Sequence, residues 1–262
     1  MFTTLQAIFL GIVQGLTEFL PVSSSAHLIL VPWLLKWRED PGLAFDVALH
    51  MGTLLALLAY YWRQWLDMGL SLANGQKLPR RLLMLLVIAS IPGAIIGLLL
   101  EKQAETIFRS PLLIAIDLAV MGAALWIVDS ASAQRRGIED IGIFDALVIG
   151  LSQALAIIPG VSRSGAAITT SRLLGIDRES AANFSFLMAT PIIAGAGMME
   201  IHKALRDGLT PQITWGFTAA AIFGILAIAG LLRFVKVRSY AIFSIYRIAL
   251  AVLVIIVFIA RA

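Results

Sequence analysis

Six apolar stretches of near-spanning length, at residues 44–62, 82–100, 111–129, 181–199, 213–232 and 241–260, dominate this chain and leave little choice of fold. A helix rises about 1.5 Å per residue, so about 20 apolar residues cross a ~30 Å hydrocarbon core. Only 14% of the 262 residues are charged and 60% are hydrophobic, whereas an ordinary globular domain is about 25% charged. At a mean hydropathy of +0.91, a soluble fold could not keep its excess apolar area out of water. The sequence therefore specifies an all-α polytopic integral membrane protein, a single transmembrane domain over 1–262. Cysteine is absent, which excludes disulfides and thiolate metal sites. The net charge of +4 does not point to nucleic acid, because the basic residues are scattered through short loops as on a cytoplasmic membrane face. The opening Met1-Phe2-Thr3-Thr4-Leu5-Gln6 lacks the basic region of a signal peptide, and the mature chain is expected to begin there.

Two further apolar runs, 2–35 and 141–175, are broken by polar turns. The first break is Pro21-Val22-Ser23-Ser24-Ser25-Ala26-His27 and the second is Pro159-Gly160-Val161-Ser162-Arg163-Ser164-Gly165. Irregular polar backbone at membrane depth survives only where it is buried in protein or lines a wet cavity. Each run thus reads as a re-entrant hairpin of two short helices, with the two tips meeting in a cavity. The runs are also related to each other. A shift of 139 residues places Gly11 on Gly150, Gln14 on Gln153, Leu16 on Leu155, Val22 on Val161, Ser23 on Ser162 and Ser25 on Ser164, six identities in fifteen pairs. Phe45 falls on Phe184 in the same register. This is an internal repeat, approximately 1–139 and 140–262. One hairpin and three spans per half make an odd number of crossings, so the halves are inverted. Loops 63–81, 130–140 and 233–240 carry nine Lys and Arg, against four in 101–110 and 200–212. The positive-inside rule puts the first set in the cytoplasm, both termini outside, and the first hairpin entering from outside.

Ionisable groups inside an apolar fold are costly and call for a functional explanation. Gln14 and Glu18, four residues apart, share one helical face. Ser23, Ser24, Ser25 and His27 follow on the turn. The second cluster is Ser162, Arg163, Ser164 and Gly165, with Thr169 and Thr170 a turn further on. A carboxylate, a histidine, several hydroxyls and an arginine around facing helix ends are the parts of a phosphoryl-transfer site. Arginine clamps phosphate oxygens bidentately, helix N-termini bind anions, and Glu holds a divalent cation shared with phosphates. Each element also has a structural reading: serines satisfy helix carbonyls, and Arg163 snorkels as an interfacial anchor. Asp46 and His50 read equally as a pair supporting the site or as a structural polar pair. Asp117 is expected to bond a neighbouring helix, His202 to sit in a loop, and Pro92, Gly93 and Gly97 to kink and pack the second span.

Gln14-Gly15-Leu16-Thr17-Glu18-Phe19-Leu20-Pro21-Val22-Ser23-Ser24-Ser25-Ala26-His27 and Pro159-Gly160-Val161-Ser162-Arg163-Ser164-Gly165 resemble the two motifs of the undecaprenyl-diphosphate phosphatase, or bacitracin-resistance, family. The resemblance extends over the whole chain through Phe45-Asp46, Phe184-Ser185-Phe186 and Tyr246-Arg247. It implies a fold of inverted repeats, each with a re-entrant hairpin. It implies hydrolysis of undecaprenyl diphosphate to the monophosphate and inorganic phosphate, which recycles the lipid carrier for peptidoglycan synthesis. It further implies a divalent cation, Mg²⁺ or Ca²⁺, held by Glu18 with Gln14, and a bacterial inner membrane location with the site facing the periplasm or exterior. By position, Glu18, Ser24, His27 and Arg163 are catalytic. Ser23, Ser25, Ser162, Arg163, Ser164, Gly165 and Thr169 bind the substrate phosphates. A homodimer is compatible with this reading. Two positions depart from the pattern: Gln14 is Glu in some members, and Ala167 stands where a Thr is familiar, leaving Thr169 to supply that hydroxyl.

Transport is the competing class, because inverted repeats with broken helices also characterise secondary transporters. A lipid-phosphate flippase would use Arg163 without a nucleophile. A lipid phosphatase of the PAP2 type is disfavoured, since no second His follows Arg163 until His202. Within the phosphatase reading, Ser24 is expected as nucleophile with His27 as its proton partner, because Ser24 pairs with Arg163 across the repeat. The alternatives are direct attack by metal-bound water and, third, His27 as nucleophile.

Overall fold

The computed structural model describes residues 2–37, 39, 41–206, 208 and 210–261, with the side chains among them apart from those of 101–107 and 200–206. Eleven α-helices occur among these residues. They are α1 (Thr4–Phe19), α2 (Ser24–Leu34), α3 (Leu43–Tyr60), α4 (Trp62–Asn74), α5 (Lys77–Thr106), α6 (Pro111–Ala131), α7 (Ile143–Ala154), α8 (Arg163–Leu173), α9 (Arg178–Arg206), α10 (Pro211–Val235) and α11 (Ala241–Arg261). The described residues contain no strand, only an isolated bridge between Arg136 and Ile176. α3, α5, α6, α9, α10 and α11 are long and apolar enough to cross a membrane. The protein is an all-α polytopic membrane protein, as the apolar stretches require.

The helix ends depart from the expected loops. α5 continues to Thr106 and α9 to Arg206, so the backbone of His202 is helical where a loop was expected. A helix leaving the hydrocarbon region keeps its internal hydrogen bonds while its charged residues reach the interface. The expected loop 63–81 contains α4. Trp62, Leu66 and Leu70 recur every fourth residue on α4 and are exposed, whereas Met68 and Ser71 are buried. An amphipathic helix with one exposed apolar stripe, joined directly to a helix of spanning length, has the pattern of an interfacial helix. Gly75, at φ 72°, takes the left-handed conformation that ends it.

The short helices form two hairpins, α1–α2 and α7–α8. The longest of them, α1, has 16 residues, about 24 Å at 1.5 Å per residue and too short to span. α1 packs along α10 and α7 along α5, while α6 packs along α11. Both hairpins approach their partners through glycine. A Cβ on Gly11 would stand 2.4 Å from the Gly216 carbonyl oxygen, and one on Gly150 would stand 2.3 Å from that of Ala89. These glycines are partners under the 139-residue shift, and each contact joins opposite halves of the chain. α10 meets α1 and α3 with Gly216, Ala219, Ala220 and Gly224, all buried, the small-residue seam that membrane helices need for close contact. The large apolar side chains turn outward instead, among them Ile95, Val120, Ile127, Leu226 and Ile256.

Two buried arginines hold the bundle together. Arg172 lies at the C-terminal end of α8 and its Nε donates to Asp129 Oδ1 at 2.8 Å. Its Nη1 donates to the Ile176 carbonyl at 2.6 Å and its Nη2 to that of Ser132 at 3.0 Å. Arg178 and the Tyr240 amide donate to the same Asp129 carboxylate, tying the ends of α6, α8, α9 and α11. Arg247 on α11 is fully buried and sits between the two hairpin turns. Its Nη1 donates to the Pro21 carbonyl of the first turn at 3.1 Å, and its Nη2 to Gly160 and Val161 of the second at 2.7 and 3.0 Å.

Arg247→Lys is expected to lower stability by about 2–5 kcal/mol although it keeps the charge. One ammonium cannot reach carbonyls on both turns, and unsatisfied buried groups cost about 1–3 kcal/mol each. Thermal unfolding of the purified protein in detergent measures this, and an unchanged midpoint would show that the turns hold together without the fork.

Candidate active site

The two turns share an unusual backbone. Ser23 has φ 73° and ψ 93°, and Ser162 has φ 72° and ψ 116°. A non-glycine residue held at positive φ costs on the order of 1–3 kcal/mol and persists only where its surroundings enforce it. Each of these serines precedes a helix, so Ser24 opens α2 and Arg163 opens α8. The strain thus aims two helix N-termini, with their unpaired N–H groups and positive dipole ends, into one region.

The serines also lock the turns to each other. The Gly160 amide donates to Ser23 Oγ at 3.1 Å, and the Ser164 hydroxyl donates to the Leu20 carbonyl at 3.1 Å. Within each turn, Ser23 and Ser25 stand 3.3 Å apart by their hydroxyls, as do Ser162 and Ser164. Ser162 Oγ accepts the Gly165 amide at 3.1 Å and caps α8. A Cβ on Gly165 would come within 2.7 Å of Arg247 Nη1, so this glycine makes room for the buried guanidinium.

Glu18, at the end of α1, is where the parts converge. Its Oε1 pairs with Arg163 Nη2. Its Oε2 accepts the Ser24 hydroxyl at 2.5 Å and Gln14 Nε2 at 3.0 Å, with His50 Nε2 3.8 Å away. His50 Nδ1 lies 2.8 Å from the Asp46 carbonyl and donates to it, since a carbonyl only accepts. The other ring nitrogen, Nε2, is thereby turned toward Glu18. A cavity of ≈ 400 Å³ opens beside this cluster. Its polar wall includes Glu18, Ser23, Ser24, Ser25, Ser162 and Arg163, with Asp46, His50 and Gln153. Its apolar wall comes from α3, α5 and α9 and includes Met51, Gly93, Gly97, Ile192 and Gly197. A Cβ on Gly97 would meet nothing within 4 Å. This glycine keeps the cavity open and is not the packing contact expected of it.

The expected Ser24–His27 pair is not formed. His27 Nδ1 donates to the Ser23 carbonyl at 2.7 Å, which leaves Nε2 to accept the Tyr246 hydroxyl at 2.7 Å. The two rings stack with centroids 5.7 Å apart and 5° between planes. His27 is buried and holds the strained turn against α11, because a side chain one helical turn after Ser23 reaches that residue's carbonyl. Glu18 stands where His27 was expected, as acceptor of the Ser24 proton. Thr169 also faces away from the cavity, donating to the Gly165 carbonyl at 2.7 Å, and Ala167 lies in the apolar core. Gln14 is buried behind Glu18 and its Oε1 has no hydrogen-bond partner. Asp117 forms no bond through its buried Oδ2. The backbone of Gly160 takes up the space against it, since a Cβ there would stand 2.7 Å from Asp117 Cβ.

Three residues of the site and its frame were not singled out by role from sequence. Gln153 lines the cavity and donates to the Ala89 carbonyl at 3.0 Å. Its correspondence to Gln14 in the repeat was the available signal. Tyr246 and Arg247 lie in an apolar span, and an arginine in such a span is itself a functional flag.

Comparison with known proteins agrees with the motifs. The family model described as bacitracin resistance protein BacA matches residues 7–253. A protein of Moorella thermoacetica named undecaprenyl-diphosphatase is 53% identical over 257 residues, covering 98% of each chain. One of the same name from Pelotomaculum thermopropionicum is 48% identical over 260 residues, covering 99% of this chain and 98% of its own. Another from Desulforudis audaxviator is 50% identical over 262 residues, covering 98% of each. With both motifs gathered on Glu18 and the match running through nearly all of its spans, this chain belongs to the BacA bacitracin resistance protein family.

Proposed function

We propose that the protein hydrolyses undecaprenyl diphosphate to undecaprenyl phosphate and inorganic phosphate. The observation that carries this reading is the convergence of Glu18, Ser24 and Arg163 from two separate hairpins on one cavity within a membrane bundle. A flippase needs a phosphate anchor, but it has no use for a hydroxyl held against a carboxylate. The names of the relatives at 48–53% identity support the same substrate.

In the proposed reaction the terminal phosphate of the substrate rests against Arg163 and the N–H groups that open α2 and α8. Ser24 Oγ attacks the terminal phosphorus, the anhydride P–O bond breaks, and undecaprenyl phosphate leaves. Glu18 accepts the Ser24 proton through their 2.5 Å contact. Water then attacks the phosphoserine phosphorus, Glu18 returns its proton to the departing Ser24 Oγ, and inorganic phosphate is released. Arg163 neutralises charge on the equatorial oxygens in both steps, which is where most catalysis of phosphoryl transfer lies. His50, oriented by the Asp46 carbonyl, faces the same carboxylate oxygen and helps to relay the proton. His27 acts through position, fixing the backbone of Ser23 so that Ser24 points into the cavity.

The residues fit a hard divalent cation shared with the substrate. Among the described residues no group of three or more His, Asp or Glu forms a complete cage. Mg²⁺ commonly takes one or two carboxylates and completes its shell with phosphate oxygens and water. Glu18 and Asp46 line the cavity, and the unpartnered Gln14 Oε1 adjoins Glu18. Glu18 with Gln14 would hold the ion, whose chemistry is to offset diphosphate charge. Orientation follows from loop charge. α3 begins at the cavity with Leu43, Asp46 and His50, on the face opposite the basic loops. The site then faces the exterior of the bacterial inner membrane.

Lys77→Cys in this cysteine-free chain should react with a membrane-impermeant maleimide only after the cells are opened. Labelling of intact cells would reverse the orientation.

Arg163→Lys should reduce kcat/KM by about 10²–10³ with little change in folding, because one ammonium cannot replace a planar fork. Phosphate release from a lipid diphosphate in detergent measures it. Near-normal turnover would leave Arg163 as an interfacial anchor.

Ser24→Ala and Glu18→Gln should each be severe, and their combination little worse than either alone, because parts of one catalytic unit are not additive. Acid-quenched wild type should carry labelled phosphate on Ser24 wherever that intermediate accumulates. Substantial turnover in Ser24→Ala that is still abolished by chelator would move the attack to water.

A further inference from the structure

At the opposite end of α3 from the active site is a second cavity of ≈ 730 Å³. It lies where α3 turns into α4, between that corner and the ends of α9 and α10. Its basic residues are Arg63 on α4, Arg233 on α10 and Lys236 just past the end of α10. Tyr60, Tyr61 and Trp62 contribute aromatic edges, and Glu179 and Asn183 contribute polar ones. Tyr60 is ten residues beyond His50, about 15 Å further along the helix axis. The two cavities share no lining residue.

The charges of this cavity do not cancel internally. Lys236 Nζ pairs with Glu179 Oε1 at 3.0 Å, so the one carboxylate of the wall is occupied. Among the described residues, neither Arg63 nor Arg233 has a salt-bridge partner. Arg63 lies over the Trp62 ring, 5.1 Å from its centroid, which holds the guanidinium at the wall. The Tyr61 hydroxyl is used by Asn183 at 2.8 Å, which braces α3 against α9 and keeps the cavity formed. The surroundings place it at headgroup depth. α3 and α10 both end here, a Tyr-Tyr-Trp run marks the interfacial aromatic belt, and the exposed Trp62, Leu66 and Leu70 stripe seats α4 in the interface.

We propose that this cavity binds the headgroup of an anionic phospholipid from the leaflet on the side of the basic loops. Two unpaired guanidiniums suit a phosphodiester bidentately, and basic pockets between membrane helices on the cytoplasmic side select anionic headgroups. Trp62 and Ala229 are exposed at its wall and would meet the acyl chains. The inference does not depend on the catalytic reading, because none of its residues belongs to the active site.

The test is native mass spectrometry of the full chain released from mixed micelles containing equal amounts of phosphatidylglycerol and phosphatidylcholine. Wild type should retain phosphatidylglycerol at least about tenfold over phosphatidylcholine, because both offer the phosphodiester but phosphatidylcholine also brings a quaternary ammonium against two unpaired guanidiniums; a factor of ten corresponds to about 1.4 kcal/mol. Arg63→Gln with Arg233→Gln should abolish the preference, and Arg63→Lys with Arg233→Lys should keep part of it. Arg135→Gln with Arg238→Gln removes the same charge from exposed residues outside the cavity and should leave the preference intact. Phosphatase turnover of a water-soluble short-chain diphosphate should be equal in all four. Equal losses in the two glutamine pairs, or no preference in wild type, would overturn the proposal in favour of general charge attraction. Displacement of the lipid by millimolar inorganic phosphate would overturn it in favour of a free-anion site.

Discussion

Arg247 is the interaction on which the site depends. Two polar turns have been drawn into the middle of an apolar bundle, where their carbonyls find no water. A single fully buried guanidinium donates to both turns at once, to Pro21 on one side and to Gly160 and Val161 on the other. Burying a cation is costly by itself. The cost is offset because the five donors of the fork match a set of carbonyls that would otherwise be orphaned. Without it the two turns would be joined, among the described residues, only by the Gly160–Ser23 and Ser164–Leu20 hydrogen bonds and the Glu18–Arg163 pair, and the relation between Ser24 and Arg163 would be less firmly set.

That fixed relation allows the strain at Ser23 and Ser162 to be useful. Each serine is held at positive φ by several bonds at once: its hydroxyl pairs within its own turn, Ser23 also takes the Gly160 amide, and His27 holds the Ser23 carbonyl. The resulting sharp corner presents the next residue, Ser24 in one turn and Arg163 in the other, at the first position of a helix. The pseudo-symmetric design gives the same backbone to both turns and different chemistry to their tips. Glu18 has no acidic counterpart, since Ile157 occupies its repeat position. One carboxylate therefore serves both tips.

The basic loops carry structural as well as topological weight. Arg81 donates to the Glu139 and Ile141 carbonyls, and Arg136 pairs with Asp145 while also donating to the Leu174 and Asp140 carbonyls. Arg172 and Arg178 share Asp129. Several arginines on the face read as cytoplasmic thus close helix ends that would otherwise leave carbonyls exposed. Arg136, one of the loop residues in the charge count, also holds the second hairpin in place through Asp145 and the Leu174 carbonyl.

Much of the fold was legible in the sequence, because a bilayer enforces it locally. A run of 20 apolar residues has no alternative to a helix where backbone groups find no water, and a polar break in such a run has to be buried or wet. Hence the six spans, the two broken runs and the residues Glu18, Ser24 and Arg163 were evident before any coordinates. The amphipathic helix α4 was read as loop because its apolar stripe is only three residues deep. The partner of Ser24 was misread because proximity in sequence favoured His27, three residues away, over Glu18, six residues away and across a turn. Only the tertiary structure decided that His27 faces Tyr246, that His50 approaches Glu18, and that Arg247 joins the turns. Those choices depend on side-chain directions set by packing between helices up to 226 residues apart. Apolar pattern determines which segments enter the membrane, but the contacts between buried polar groups are fixed only when those segments meet.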